Sequence, residues 1–164
     1  MKNNLLMNFS VDKENKKIRV EREFAAPLDK VWAAWTTSEL LDQWWAPKPW
    51  KAKTKSMDFS EGGTWLYAMV GPDGTQHWAR ADYKDIKVPQ SYSAYDAFCD
   101  ENGTINTDFS RSLWNNTFKQ QSDSTIVTIE ISYKELADLE QILEMGFKEG
   151  FTAGLENLDA LLAS

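Results

Sequence analysis

The last thirty residues constrain this chain more than any other stretch. Between Glu135 and Ser164, Leu136, Leu139, Leu143, Phe147, Leu158 and Leu161 recur at helical spacing. That spacing predicts one long amphipathic C-terminal helix, whose apolar face the rest of the chain must cover. Gly146, Gly150 and Gly154 stand four residues apart within it, and each costs a helix about 1 kcal/mol relative to alanine. Spaced this way the three share one side and leave a groove free of side chains. Two readings fit the groove: tight packing of the helix on a sheet, or close approach of a bound molecule, with Phe147 and Phe151 on its flanks.

The preceding residues read mostly as strands. Leu5 to Val11 and Lys17 to Phe24 are strand-like runs separated by the polar turn Asp12-Lys13-Glu14-Asn15-Lys16, an antiparallel hairpin. In the second run Ile18, Val20 and Arg22 alternate with Arg19, Glu21 and Glu23, so one face is expected to be at most half-buried near its end. Pro27 opens a short helix that presents Leu28, Val31, Trp32 and Trp35 on one side. Ser38 is the expected N-cap of a second short helix, which Pro47 and Pro49 stop.

Further strands follow at 51–59, 64–70, 75–88, 90–98, 110–121 and 125–133, separated by turn signals such as Gly62-Gly63 and Gly71-Pro72-Asp73-Gly74. Strands in succession with short turns form an antiparallel meander rather than βαβ units. A curved sheet closed by one long helix is an α+β arrangement. With no internal repeat or linker, residues 1–164 read as one domain.

Charge and composition remove several function classes. Eighteen basic and 25 acidic residues give a net charge of −7, which disfavours nucleic acid and anionic lipid surfaces. One cysteine, Cys99, and one histidine, His77, allow neither an internal disulfide nor a cysteine/histidine metal cluster. Cys99, beside Phe98 at a strand end, reads as a small packed residue. No metal and no cofactor are expected. No apolar run reaches the roughly 20 residues of a membrane helix, and Met1 to Met7 lack a signal-peptide core; a cytoplasmic location is expected. Eight tryptophans and an aromatic content of 13% ask for a wide apolar interior with a cavity.

The residues also carry a family resemblance. Phe24-Ala25-Ala26-Pro27-Leu28-Asp29-Lys30-Val31-Trp32-Ala33-Ala34-Trp35-Thr36, then Leu41-Asp42-Gln43-Trp44-Trp45-Ala46-Pro47, Gly62-Gly63-Thr64-Trp65, Gly71-Pro72-Asp73-Gly74-Thr75, Asp96-Ala97-Phe98 and Gly146-Phe147-Lys148-Glu149-Gly150-Phe151 occur in that order. Together they resemble the activator of 90-kDa heat-shock-protein ATPase homologue-like proteins of the START-like (SRPBCC) superfamily, from Lys17 to the C-terminus. The resemblance implies a helix-grip fold: an antiparallel sheet gripping the C-terminal helix, two short helices closing one end, and a hydrophobic cavity between sheet and helix. The stretch before Lys17 and the charged pair Arg80 and Asp82 depart from the family pattern.

Candidate cavity residues follow. Trp65, Tyr67 and Met69 share one strand face, the one the resemblance turns inward, and core packing explains them equally well. Trp44 and Trp45 lie in the short-helix lid, one to plug the cavity mouth and one to cap the core. Phe147 and Phe151 project from the gripping helix, and Phe98 and Trp114 come from later strands.

Trp78 and Arg80 join the set if their strand face points inward; Arg80 would then need Asp82 or Asp96 as partner and would hold an acidic head group. If that face points outward they are solvated surface groups. His77, Asp82, Asp96 and Glu149 are the acid/base groups an enzyme reading would need. The leading reading is a domain that binds an apolar or amphipathic small molecule, with no assigned reaction. The alternatives are a co-chaperone-like protein partner and a cavity enzyme of cyclase or hydrolase type. Exposed tryptophans would equally suit a homodimer interface.

Overall fold

Pairing between the two ends of the chain joins the sheet into one. In the computed structural model, which describes residues 5–164, β1 (Met7–Asp12) and β2 (Lys17–Phe24) form the expected hairpin, and the Asp12 carboxylate accepts the Asn15 backbone N–H (3.1 Å) and side-chain amide (2.8 Å) across its turn. Residues 1–4, part of the stretch read for a signal peptide, lie outside the described residues. The chain then forms α1 (Leu28–Thr36), α2 (Ser38–Trp44), β3 (Lys51–Met57), β4 (Thr64–Val70), β5 (Gln76–Lys87), β6 (Ser91–Cys99), β7 (Ser112–Gln121) and β8 (Ser124–Ser132), and ends in α3 (Leu136–Glu144) and α4 (Phe147–Ala163).

The eight strands make one antiparallel sheet in the order β1-β2-β8-β7-β6-β5-β4-β3. The meander is therefore β3 to β8, and β2 pairs with β8 through the register Ile18↔Ile131, Val20↔Ile129 and Arg22↔Val127. Alternation puts Ile18, Val20 and Phe24 on the inner face beside Val127, Ile129 and Ile131, all fully buried. Leu155 and Leu158 of α4, also fully buried, join the same core. Among the described residues no helix is long and apolar enough to cross a membrane.

Three sequence expectations need correction. The C-terminal helix is two helices, because Gly146 adopts φ +89°, a left-handed conformation that ends α3 and begins α4. Apolar periodicity continues on both sides of the break, so spacing alone did not reveal it. The groove is not three glycines on one helix face either. A Cβ at Gly154 would stand 3.2 Å from the Trp45 carbonyl oxygen and 3.3 Å from that of Trp44, whereas one at Gly150 would meet only Pro47 at 3.8 Å. At Gly154 the backbone at the end of α2 comes close to the helix, and Asn157 of α4 caps it by donating to the Ala46 carbonyl at 3.0 Å, whereas Gly146 and Gly150 border the open space beneath the helix.

Second, Arg22 is buried at 7% exposure rather than half-exposed. Its guanidinium pairs with Asp159 of α4, donates to the Glu23 carbonyl at 2.8 Å and lies 5.0 Å over the Phe24 ring. The partner is 137 residues away, so the local strand pattern gave no hint of it. Third, Ser38 is the first helical residue and not the cap. Thr37 occupies the N-cap, and its hydroxyl instead donates back to the Ala33 carbonyl of α1 at 2.8 Å.

Candidate functional site

The inner face of the sheet is filled at one end of β5 and β6 and hollow at the other. At the filled end Tyr83, Tyr92 and Phe118 meet Phe59 and the α1 residue Trp32, with edge-to-face ring contacts at 4.7 to 5.9 Å. At the other end, register places Tyr67 opposite Ala79, Ala79 opposite Phe98, and Asp96 opposite both Ala81 and Ser112. Small side chains at Ala79, Ala81 and Ser112 leave the space below α4 unfilled.

The result is a cavity of about 300 Å³ between this part of the sheet, α3 and the first turns of α4. Tyr67, Ala97 and Phe151 form its buried wall. Exposed Ser110, Gln141 and Met145 border its open side. Its size lies at the lower end of small-molecule sites.

Trp45 joins the lid to the wall. Its ring contacts Trp65 (5.6 Å), Trp114 (5.9 Å) and Phe151 (6.1 Å), and its indole N–H donates to the Tyr67 hydroxyl at 3.0 Å. Phe147 and Phe151 stack at 5.2 Å along α4, and Trp114 packs edge-on against both. Burial pushes the Tyr67 phenol well above its ordinary range.

Two carboxyl groups border the cavity, Asp138 on α3 and Asp96 on the sheet wall. Asp96 accepts the Ser112 backbone N–H (2.9 Å) and hydroxyl (2.6 Å) on Oδ1 and the Trp114 indole N–H (3.1 Å) on Oδ2. Burial pushes it up, and the bonds from Ser112 and Trp114 and the charge of Arg111 only partly oppose the rise. Tyr133, also at the wall, is pushed up by burial and further by the Asp96 charge.

Of the sequence candidates, Trp45, Tyr67, Met69, Phe98, Trp114, Phe147 and Phe151 line the cavity. Trp44 does not: it is 1% exposed, packs on Trp35 at 4.8 Å and donates to the Ala34 carbonyl, so it caps the core while Trp45 faces the cavity. Trp65 lies one layer behind, stacked on Tyr67 at 4.0 Å with its indole bonded to Thr54.

Trp78 and Arg80 belong to the opposite, convex face, because Ala79 between them points into the cavity. There Arg80 donates to Asp82 (2.7 and 3.1 Å) and to the Gly103 carbonyl, and Arg111 pairs with the same Asp82. Burial alone would raise the Asp82 carboxyl, but hydrogen bonds from Arg80, Thr64 and Arg111 outweigh it and hold it at about 2. An acidic head group therefore finds no arginine inside.

Among the acid/base candidates only Asp96 lines the cavity. His77 is exposed and stacks on Trp50 at 5.3 Å, Asp82 is on the convex face, and Glu149 is exposed on α4. Cys99 is a free, partly buried thiol that burial pushes up, away from a reactive thiolate. Among the described residues no group of three or more His, Cys, Asp or Glu side chains converges on a point where a metal would sit.

Sequence reasoning missed Ser112, Tyr133, Ile142 of α3 and Met145 at the end of that helix as wall groups. The alternation Val127, Ile129, Ile131 extended by one step would have found Tyr133. Nothing local marked α3 as cavity wall, because the turn at Gly146 sets its direction.

The comparisons agree with this architecture. A protein of Mycobacterium smegmatis is 30% identical, with 96% of each chain covered and a TM-score of 0.88. One from Arthrobacter aurescens is 28% identical over 95% of this chain and 91% of its own, with a TM-score of 0.90. A Silicibacter pomeroyi protein described as AHSA1 is 25% identical over 90% and 97%, with a TM-score of 0.72. No curated protein is significantly similar to the chain. The sequence pattern of the family described as activator of Hsp90 ATPase homolog 1-like protein matches residues 25–163, and with the helix-grip fold and its sheet-to-helix cavity in place, the chain belongs to that family.

Proposed function

We propose that the protein binds an apolar or amphipathic small molecule in the cavity between the sheet and α4. The observation that carries this reading is the hollow end itself. A chain that fills one end of its concave face with five interlocked aromatic rings leaves the other end open, lined by Trp45, Trp114, Phe147 and Phe151 and backed by Ala79. Protein interiors are normally packed without voids of this size. An unfilled aromatic space with few polar groups and a side open to solvent has the properties of a ligand site. The family's description names a chaperone ATPase, but no surface feature here supports that partner as directly as the cavity supports a small molecule.

Titration with the neutral fluorophore N-phenyl-1-naphthylamine tests the reading. Its emission should rise and saturate with wild-type protein, and Ala79→Leu, which places a larger side chain in the cavity, should weaken binding about tenfold or more while changing stability by less than about 1.5 kcal/mol. Absence of saturable binding, or binding that Ala79→Leu leaves untouched, would contradict it.

A further inference from the structure

The polar groups at the cavity wall specify more than apolarity. The Trp45 indole N–H is spent on the Tyr67 hydroxyl, and the Trp114 indole N–H and the Ser112 hydroxyl are spent on the Asp96 carboxyl. Each bond turns the wall's own donors toward an acceptor within the wall. Tyr67 accepts its bond, so its own proton is left for a further partner, and the Tyr133 phenol borders the same space.

Asp96 follows the same logic. Titratable and charged groups approach it from four elements: Tyr67 of β4, Tyr133 beyond β8, Asp138 of α3 across the cavity, and Arg111 beside β7. Arg111 does not reach its carboxyl group. The guanidinium pairs with Asp82 and donates to the backbone carbonyls of Tyr95 and Asp96. A carboxyl group in an apolar wall without a paired cation is costly, and burial raises Asp96 while the hydrogen bonds from Ser112 and Trp114 offset part of that cost. With both Asp96 oxygens engaged by the wall, the donors left for a ligand are the Tyr67 and Tyr133 hydroxyls.

We propose that the cavity selects an apolar, aromatic molecule whose single polar group is a neutral hydrogen-bond acceptor, such as a ketone or ester oxygen, seated against the hydroxyl protons of Tyr67 and Tyr133. The inference rests on the binding reading above and adds the chemical class of the ligand. It disfavours carboxylic acids, which would face the carboxyl groups of Asp138 and Asp96, and ammonium groups, which carry no acceptor for the two phenol protons.

Three probes with the same two phenyl rings separate these cases: benzophenone, diphenylmethane and benzhydrylamine, titrated calorimetrically into the full chain at pH 7. Benzophenone is expected to bind about tenfold more tightly than diphenylmethane, the worth of one well-made neutral hydrogen bond, and the charged amine no more tightly than the hydrocarbon. Tyr67→Phe and Tyr133→Phe should each lower the ketone-to-hydrocarbon ratio severalfold while diphenylmethane still binds, and the wild-type comparison is decisive by itself. Equal affinities for ketone and hydrocarbon would overturn the ligand class and leave cavity binding standing. Tightest binding of the amine would overturn it by showing that the carboxyl groups of the wall select a cation. Binding of none of the three would overturn both readings.

Discussion

The two ends of the concave sheet face are built from the same strands and differ in what their side chains leave over. Where Tyr83, Tyr92 and Phe118 project from β5, β6 and β7, α1 answers with Trp32 and closes the space. A few residues along the same strands, Ala79, Ala81, Asp96 and Ser112 project instead, and α3 and α4 pass over them without filling it. The filled end locks the helices to the sheet, so the hollow end can hold its shape without a packed core of its own. On the proposed reading, stability and binding fall to different ends of the same surface.

The largest expected effect lies at the filled end. Trp32→Ala empties the middle of the aromatic cluster and should cost about 3 to 5 kcal/mol in chemical denaturation. A loss below about 1 kcal/mol would mean that the two ends are not packed differently at all.

A smaller effect separates the two glycines of α4. Gly154→Ala drives a methyl group against the carbonyl oxygens of Trp44 and Trp45 and should cost about 1 to 3 kcal/mol, as overpacking against fixed backbone does. Gly150→Ala meets only Pro47 at ordinary contact distance and should stabilise the helix by up to about 1 kcal/mol. Equal effects from the two would remove α2 as the reason for the Gly154 position.

The smallest effects are the pH dependences of one carboxyl group on each face. Asp82, held at about 2 against an ordinary 3.8, stabilises the fold fully above pH 3.8 and loses that contribution as pH falls toward 2. The stability difference between wild type and Asp82→Asn should therefore shrink across that window. Asp96 has the opposite sign: its folded form holds a proton that the unfolded chain releases above 3.8, so rising pH favours unfolding. Relative to Asp96→Ala, wild type should lose stability as pH increases from 3.8. Parallel slopes in the two comparisons would show that the faces do not differ electrostatically.

Most of the fold was legible in the sequence because alternation and turn chemistry are local. The β2 and β4 faces, the two short helices and the meander follow from residues within a few positions of each other. The site was legible only in part. Alternation put Tyr67 and Met69 on one strand face and the family resemblance turned that face inward, but the direction of Trp78 and Arg80 depended on which face of β5 the neighbouring strands turned toward α4. Arg22 depended on Asp159, far along the chain, and α3 on a left-handed turn at Gly146 that the apolar spacing passes over. Long-range pairing decided each of these, and one-dimensional periodicity carries no record of it.

Indole N–H resonances give the most direct test of the central claim, because tryptophans mark both ends. In a ¹⁵N-labelled sample titrated with diphenylmethane, the Trp45 and Trp114 indole signals should shift progressively and saturate while the Trp32 signal stays in place. Shifts of equal size at all three, or none at Trp45 and Trp114, would show that the hollow end is not a binding site.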